Sequence, residues 1–188
     1  MSAGPRRDFI LPEHERAIRA VAVDPRVSVF LSANAGSGKT TILTERVIRL
    51  MLEGAEPARI LCLTYTKAAA AEMQNRIFTT LAGWVALDDA ALAGKVGKLT
   101  GRTPAAAMLE RARALFARAV ETPGGLKIQT IHAFSERLLH LFPFEANVPV
   151  RFTVMDDAAK TELLDDVRRA TLRAGLAEPA TPLGLATS

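Results

Sequence analysis

The residues best suited to chemistry stand in one run of small side chains, SANAGSGKTT, from Ser32 to Thr41. Gly36 and Gly38 let the backbone curl so that successive N–H groups point inward at an anion. A helix that starts directly afterwards adds the positive end of its dipole. Lys39 suits the β- and γ-phosphates of a nucleoside triphosphate, and the Thr40 hydroxyl suits Mg²⁺. The run therefore predicts a phosphate-binding loop and not a linker.

The run follows the pattern G-x-x-x-x-G-K-[ST] in every position but the first, where Ala33 replaces glycine. Lys39 and Thr40 are the predicted catalytic residues, and Thr40 is also the predicted metal ligand. The predicted nucleotide-binding residues of the run are Ala33, Asn34, Ala35, Gly36, Ser37, Gly38, Lys39, Thr40 and Thr41. The pattern thus predicts a nucleoside triphosphate and Mg²⁺ as cofactors.

The elements that would position this loop alternate between strands and helices. Apolar runs predict buried strands over residues 27–33, 60–65 and 126–130, and a half-exposed strand over 150–155. Apolar spacing and Pro or Gly breakers predict helices over 39–54, 67–81, 88–95, 104–120 and 156–173, and another that starts at 131. The last dozen residues carry no pattern and are expected to fray. The alternation predicts an α/β fold with a parallel sheet flanked by helices.

Composition limits the class of protein. The chain has 188 residues, 49% of them hydrophobic and 23% charged, which suits one globular domain with a sizeable core. No apolar run approaches the roughly 20 residues of a membrane span, and residues 1–9 lack the apolar stretch of a secretory signal. The single cysteine, Cys62, excludes an internal disulfide. A cytoplasmic protein without a membrane partner is expected, with Cys62 and Trp84 in its core.

Positive charge is concentrated in one part of the chain. The formal net charge is +4. Residues 90–120 hold one acid, Glu110, and the cations Lys95, Lys98, Arg102, Arg111, Arg113 and Arg118. Such a segment is a solvated face in most proteins, and it is a nucleic-acid surface in some. Both interpretations stay open, as does contact with a partner protein.

Two further runs accompany the loop. LTYTKAAAAEMQNRI, residues 63–77, places a T-Y-T run at the end of a predicted strand, before an Ala-rich helix. TIHAFSERLL, residues 130–139, follows the third predicted strand. Together with the loop, these runs resemble the ordered motifs of superfamily 1 helicases of the UvrD/Rep type. With PGGLKIQTIHAF (123–134) and FPFEANVP (142–149), the resemblance is to the AddA family, helicase-nuclease subunits of the bacterial AddAB complex for double-strand break repair and recombination.

The resemblance, which runs from about residue 12 to about residue 170, implies roles for individual residues. ATP would be the nucleotide, and His14 stands where the family usually has a glutamine that recognises adenine. The implied partners are single-stranded and double-stranded DNA and an AddB-like subunit. The implied DNA-binding residues are Thr64, Tyr65, Thr66, Lys67, Thr130, His132 and Phe134. Hydroxyl groups position phosphates without reading sequence, and an exposed aromatic ring stacks on any base.

From the residues alone, core packing is the simpler interpretation of several of these positions. Tyr65 follows an apolar strand, His132 lies at a helix start, and Phe134 shares an apolar helix face with Leu138 and Leu141. Ser135 stands where the family commonly has cysteine, a change between small side chains that is expected to be tolerated.

The resemblance also implies a domain organisation. Residues 1–155 would form the N-terminal part of a RecA-like, P-loop NTPase domain, incomplete and with a helical insertion over about 83–122. Residues 156–188 would begin a helical subdomain with a frayed end. The chain would be the front portion of a longer motor, and on its own it is expected to bind ATP and DNA weakly, to hydrolyse little ATP and to unwind nothing.

An acidic residue to hold Mg²⁺ and to orient the attacking water is also needed for hydrolysis. The only apolar run that ends in acids is FTVMDD, residues 152–157. If Asp156 and Asp157 served this purpose, the chain would be a self-contained small P-loop NTPase or kinase. A truncated product that at most binds nucleotide or competes for a partner protein is a third interpretation.

Overall fold

The computed structural model describes residues 12–34, 36–178 and 180–187. The boundary between its two compact units falls between Phe134 and Ser135. Its regular elements are α1 (Glu13–Val23), α2 (Lys39–Leu52), a 3-10 turn (Pro57–Arg59), β1 (Leu61–Thr64), α3 (Lys67–Val85), α4 (Asp89–Thr100), α5 (Ala106–Val120), β2 (Lys127–Thr130), α6 (Ile131–Leu141), α7 (Asp157–Ala177) and α8 (Pro182–Thr187). The described chain is therefore mostly helical.

The sheet of the first unit consists of β1 and β2, which pair in parallel. The register runs from Leu61 opposite Lys127 to Thr64 opposite Thr130. Parallel neighbours require a long crossover connection, and here the crossover carries α3, α4 and α5. The prediction of a parallel sheet flanked by helices is confirmed in this small form.

Two predicted strands do not form, and the prediction was wrong for residues 27–33 and 150–155. A strand needs a neighbour that satisfies its N–H and C=O groups, and no described segment pairs with either stretch. Phe30 is 94% exposed, so apolar content alone does not bury the first stretch. In the second stretch, the Phe152 ring stacks on His140 at a centroid distance of 4.3 Å.

Arg46 holds the chain between α1 and the glycine loop in place of a strand ladder. Its guanidinium donates to the carbonyl oxygens of Ala22 at 3.0 Å, Asp24 at 2.7 Å and Val27 at 2.6 Å. Since Arg46 lies in the middle of α2, the segment that enters the loop is tied to the helix that leaves it.

Helix α1 was missed by the sequence analysis, and α8 forms where fraying was expected. Only Ala22 and Val23 of α1 are buried, so most of this helix is exposed on the surface of the first unit. Its position depends on α2 instead, through two hydrogen bonds from the Arg19 guanidinium to the Glu45 carboxylate, at 3.1 and 2.9 Å.

The core of the first unit lies where α3 packs against α2, α5 and β2. Cys62 and Trp84 are buried in it, as predicted, and burial raises the pKa of the Cys62 thiol. The most deeply buried large side chains are Ile48, Met51, Leu52, Met73, Ile77, Leu81, Leu92, Val96 and Leu115. They come from α2, α3, α4 and α5, so the predicted helical insertion contributes to the same core as the glycine-loop helix. None of the described helices is both long and apolar enough to cross a membrane.

Asp24 ends α1 in a cluster of positive charge. Its carboxylate accepts from the Arg26 backbone N–H and Nε, both at 3.0 Å, and from Arg26 Nη2 at 2.7 Å. Arg49 Nη2 lies 3.8 Å away. The hydrogen bonds from Arg26, with its charge and that of Arg49, hold the pKa of the Asp24 carboxyl well below its usual range.

Asp24→Asn is expected to lower the free energy of unfolding at neutral pH. Because the pKa of Asp24 is lower in the folded state, the unfolded chain takes up its proton first as the pH falls below about 4. The stability that the carboxylate contributes is then lost, and the difference in the free energy of unfolding between wild type and variant should shrink. Urea denaturation at several pH values measures this difference, with Glu110→Gln as the control at an exposed carboxylate. A difference that stays constant with pH would contradict the assignment.

Candidate functional site

The glycine loop lies between the segment over residues 27–34 and the start of α2. Gly36 has φ +77° and Gly38 has φ +86°, in the left-handed region where a side chain would be strained. The Ser37 N–H donates to the Asn34 carbonyl at 3.3 Å. The loop thus makes a tight turn directly before the helix. Ala35, one of the predicted nucleotide-binding residues, lies outside the described residues.

Lys39 folds back onto the loop that precedes it. Its ammonium donates to the carbonyl oxygens of Ala33 and Asn34, the latter at 2.6 Å. The positive charge is therefore kept at the loop, while the residue itself remains exposed. An anion seated there would attract this ammonium from its two neutral acceptors, because hydrogen bonds between charged groups are about twice as strong.

The first turn of α2 offers N–H groups to a ligand. The first backbone bond of the helix joins the Ile42 N–H to the Gly38 carbonyl at 3.1 Å. The N–H groups of Lys39, Thr40 and Thr41 precede it, and Gly38 supplies no side-chain cap. Unpaired donors at a helix N-terminus favour an anion. Thr40 is exposed here, with its backbone carbonyl accepting from the Thr44 hydroxyl at 2.9 Å.

A cleft between α2 and α3 begins at Thr41. Its volume is about 500 Å³, and it is lined by Thr41, Thr44, Glu45, Ile48, Glu72, Asn75, Arg76, Thr79 and Thr80. Arg76 donates to the Thr41 hydroxyl at 3.1 Å and to Glu72 at 2.7 Å. The cleft has the size and polar lining to hold a nucleoside.

Arg76 was missed by the sequence analysis. It lies within the run that resembles a helicase motif, but its i, i+4 spacing from Glu72 is that of an ordinary surface ion pair. Only the packing of α3 beside α2 shows that its guanidinium reaches the residue after Thr40. Arg76 and Arg46 each donate hydrogen bonds to residues that are distant in sequence.

The first predicted DNA motif occupies the carboxyl end of β1. Thr64 is the last residue of that strand, and its hydroxyl donates to the Thr66 carbonyl at 3.0 Å. The Thr66 hydroxyl caps α3 by accepting from the Ala69 N–H at 3.1 Å. Tyr65, between them, is 84% exposed. Its ring is not part of the core, so core packing does not explain it, and Lys67 beside it is exposed too.

The second predicted DNA motif emerges beside the first. Thr130 pairs with Thr64 in the parallel register, so both motifs leave the same edge of the sheet. Thr130 itself is buried, with its hydroxyl accepting from the Ala133 N–H at 3.1 Å. His132 is exposed and Phe134 is half-buried. Of these residues, His132 has the side chain most open to a ligand.

His14 and the two candidate acids, Asp156 and Asp157, each lie at the start of a helix. His14 lies exposed in the first turn of α1. The Asp156 carboxylate accepts from the Ala159 N–H at 2.8 Å and caps α7, with Asp157 in the first turn. Residues 150–155, directly before these acids, do not form a strand. The small NTPase or kinase alternative requires acids at the end of a strand, so Asp156 and Asp157 lack the position that it needs. The described residues contain no cluster of His, Cys, Asp or Glu that could hold a metal.

The basic segment over residues 90–120 contains two kinds of cation: some hydrogen-bond to neighbouring helices, and others line a groove. Arg111 donates to the Leu52 carbonyl at 2.8 Å, which ties α5 to the end of α2. Arg113 donates to the Leu87 carbonyl at 2.8 Å and to Asp89 at 2.7 Å. These cations hold helices together. Lys95 and Lys98 instead line a groove beside α1.

The sequence of this chain is similar to those of known proteins. The family model for the UvrD/REP helicase N-terminal domain matches residues 13–181. The chain belongs to this family. The UvrD/REP N-terminal domain is part of a RecA-like fold, and its family comprises ATP-dependent DNA helicases. The β1–β2 edge and the glycine loop are therefore parts of a helicase domain.

Curated relatives are similar over most of this UvrD/REP domain. An ATP-dependent helicase/nuclease subunit of Moorella thermoacetica is 32% identical over 174 residues, 89% of this chain and 10% of the relative. The protein of the same name from Pediococcus pentosaceus is 30% identical over 151 residues, 80% of this chain and 11% of the relative. "DNA helicase II" of Escherichia coli is 29% identical over 153 residues, 81% of this chain and 16% of the relative. The chain spans 10 to 16% of the length of these relatives. No solved structure is significantly similar to it.

Proposed function

We propose that this chain is the N-terminal ATP-binding and single-stranded-DNA-contacting portion of an AddA-like, ATP-dependent DNA helicase that acts in double-strand break repair and recombination. The observation that carries the proposal is the pairing of Thr64 with Thr130, which brings both DNA motifs to one sheet edge within the unit that also holds the glycine loop. The AddA assignment is supported by the relatives that are named as subunits of an ATP-dependent helicase/nuclease. An AddB-like subunit is the partner that this assignment implies.

ATP would be held by the loop and the start of α2. Positive φ at Gly36 and Gly38, the unpaired N–H groups of the first helical turn and the ammonium of Lys39 fit a triphosphate. The cleft that begins at Thr41 would take the nucleoside, with Arg76 at its wall.

Mg²⁺ would arrive with the phosphates. In such sites it keeps several waters and takes one or two ligands from the protein, and the Thr40 hydroxyl is the ligand that this chain would supply. The ion would neutralise charge on the phosphates during their transfer.

Single-stranded DNA would lie along the carboxyl edge of β1 and β2. Tyr65 supplies an exposed ring for stacking, while Thr66 and Lys67 lie at the amino end of α3 beside it. Base stacking on an aromatic ring stabilises binding by about 1–3 kcal/mol whatever the base. His132 lies on the neighbouring motif. Contact without sequence readout is what a motor that moves along DNA requires.

Tyr65→Ala is expected to weaken binding of a labelled oligo(dT) about tenfold, which corresponds to about 1.4 kcal/mol. Fluorescence anisotropy at fixed salt measures the affinity, and circular dichroism checks the fold. Phe144→Ala is the matched control, because Phe144 is also an exposed aromatic residue, at 83%, and lies outside both motifs. Equal affinities for the two variants would refute the stacking role and, with it, the DNA-contacting edge.

A further inference from the structure

The first unit contains a groove that the proposed function does not use. Its volume is about 650 Å³, and α1, α2, α3 and α4 all contribute to its walls. Ala20 is exposed and Leu99 is half-buried, and they give the groove an apolar surface, while Val23, Ile48 and Trp84 behind it are buried. All of these residues belong to the first unit.

The rim of this groove is strongly positive. Arg16, Arg19, Arg49, Lys95 and Lys98 line it, against the single acid Glu45. Arg19 is paired with Glu45 at 2.9 Å. Arg16, Lys95 and Lys98 form no ion pair with any residue that the structure describes. Three cations from two helices are therefore left to face one cavity.

Arg49 adds a buried donor to the groove wall. Its side chain is 8% exposed, and its Nη2 lies 3.8 Å from Asp24 while its Nε lies 3.5 Å from Glu53. The buried Nε makes no hydrogen bond within the described part of the chain. The carboxylates of Asp24 and Glu53 already pair its charge, so the cations of the groove that remain open to a ligand are Arg16, Lys95 and Lys98.

The groove lies away from the DNA motifs. Helix α3 begins at Lys67, beside the β1–β2 edge, and Trp84 lies near its other end. Seventeen residues of α-helix separate the two by about 26 Å. The Trp84 ring is also only 6% exposed and offers no face for a base to stack on. The track of single-stranded DNA along the sheet edge therefore does not account for these cations.

We propose that this groove is a docking site for an acidic, partly apolar segment of a partner polypeptide. Charge complementarity identifies the occupant: carboxylates would face Arg16, Lys95 and Lys98, and apolar side chains would cover Ala20 and Leu99. Nucleic acid offers no apolar surface apart from its bases, and the groove has no exposed ring to receive them. The proposal does not depend on the nucleotide or DNA roles above.

The test measures binding of a fluorescent random copolymer of glutamate and tyrosine to the full 188-residue chain, with labelled oligo(dT) as the nucleic-acid probe. The charge-reversal variant is Lys95→Glu with Lys98→Glu. The control variant is Arg118→Glu with Lys160→Glu, which changes the net charge equally at exposed cations outside the groove. The measurements are made at about 50 mM salt, where such contacts are weakly screened.

The wild type and the control variant are expected to bind the copolymer, and the groove variant about tenfold more weakly. Oligo(dT) affinity is expected to be the same for the groove and control variants. Three results would overturn the proposal: no copolymer binding by the wild type, equal copolymer affinities for the two variants, or a parallel loss of oligo(dT) binding in the groove variant. The last would identify the groove as a nucleic-acid surface.

Discussion

Lys39→Ala is expected to weaken ATP binding about a hundredfold, the largest effect on ligand affinity that any single residue of the site should have. The carbonyl oxygens of Ala33 and Asn34 hold the ammonium at the loop, so the Lys39 side chain is already ordered where a phosphate would bind. Hydrogen bonds between ionised partners contribute about 1.5–3 kcal/mol each, and a hundredfold change corresponds to about 2.7 kcal/mol. Isothermal titration with ATP and Mg²⁺ measures the loss.

Two controls separate binding from folding in this experiment. Lys160→Ala removes an exposed lysine from α7 and should leave ATP affinity unchanged. Because Lys39 is also exposed, its variant should keep the thermal midpoint of the wild type. An ATP affinity for Lys39→Ala within twofold of the wild type would refute the phosphate-loop assignment, and the proposed ATP-dependent function would fail with it.

Ile77→Ala is expected to produce the largest loss of stability, about 2–5 kcal/mol. Ile77 lies on α3 and is fully buried in the core that α2, α3 and α5 share. Removing its side chain leaves a cavity that rigid helices on several sides cannot close. Urea denaturation followed by circular dichroism measures the change in the free energy of unfolding.

Ile18→Ala is the matched control, since Ile18 is an isoleucine within α1 that is 58% exposed. It should cost less than about 1 kcal/mol. A loss for Ile77→Ala no larger than that of the control would mean that α3 is not packed as described. A changed dependence on urea concentration would instead report an altered unfolded or native state.

Elements that follow from apolar content and helix propensity could be predicted. The strand over Leu61–Thr64 and the Ala-rich helix after it both form. The prediction that this strand is buried was wrong, because Leu61 and Leu63 are each 42% exposed. Residues 27–33 are also rich in apolar side chains, yet they form no strand. A strand needs a hydrogen-bonded neighbour, and no described segment pairs with these residues. Helix α1 contacts α2 through Arg19 and Glu45, a pair 26 residues apart that the local sequence of either helix does not reveal.

In the candidate site too, features formed by consecutive residues could be predicted, and features that depend on packing could not. The left-handed glycines and Lys39 could be predicted because a phosphate loop is built from consecutive residues. Arg76 and the groove lysines could not, since their roles depend on which helices lie side by side. The Lys95–Arg118 segment was a single basic stretch in sequence, and only packing separates the cations that tie α5 to α2 and α4 from those that line a cavity.

Helix α3 links the edge of the sheet to helix α2. Its amino end is joined to β1 by the hydrogen bond from the Thr64 hydroxyl to the Thr66 carbonyl, and nearly three turns further along Arg76 donates to the Thr41 hydroxyl. No proline interrupts its 19 residues, so it behaves as a stiff rod between these fastenings. A displacement of β1 at this edge would therefore reach α2, the helix that carries Lys39, through one continuous helix.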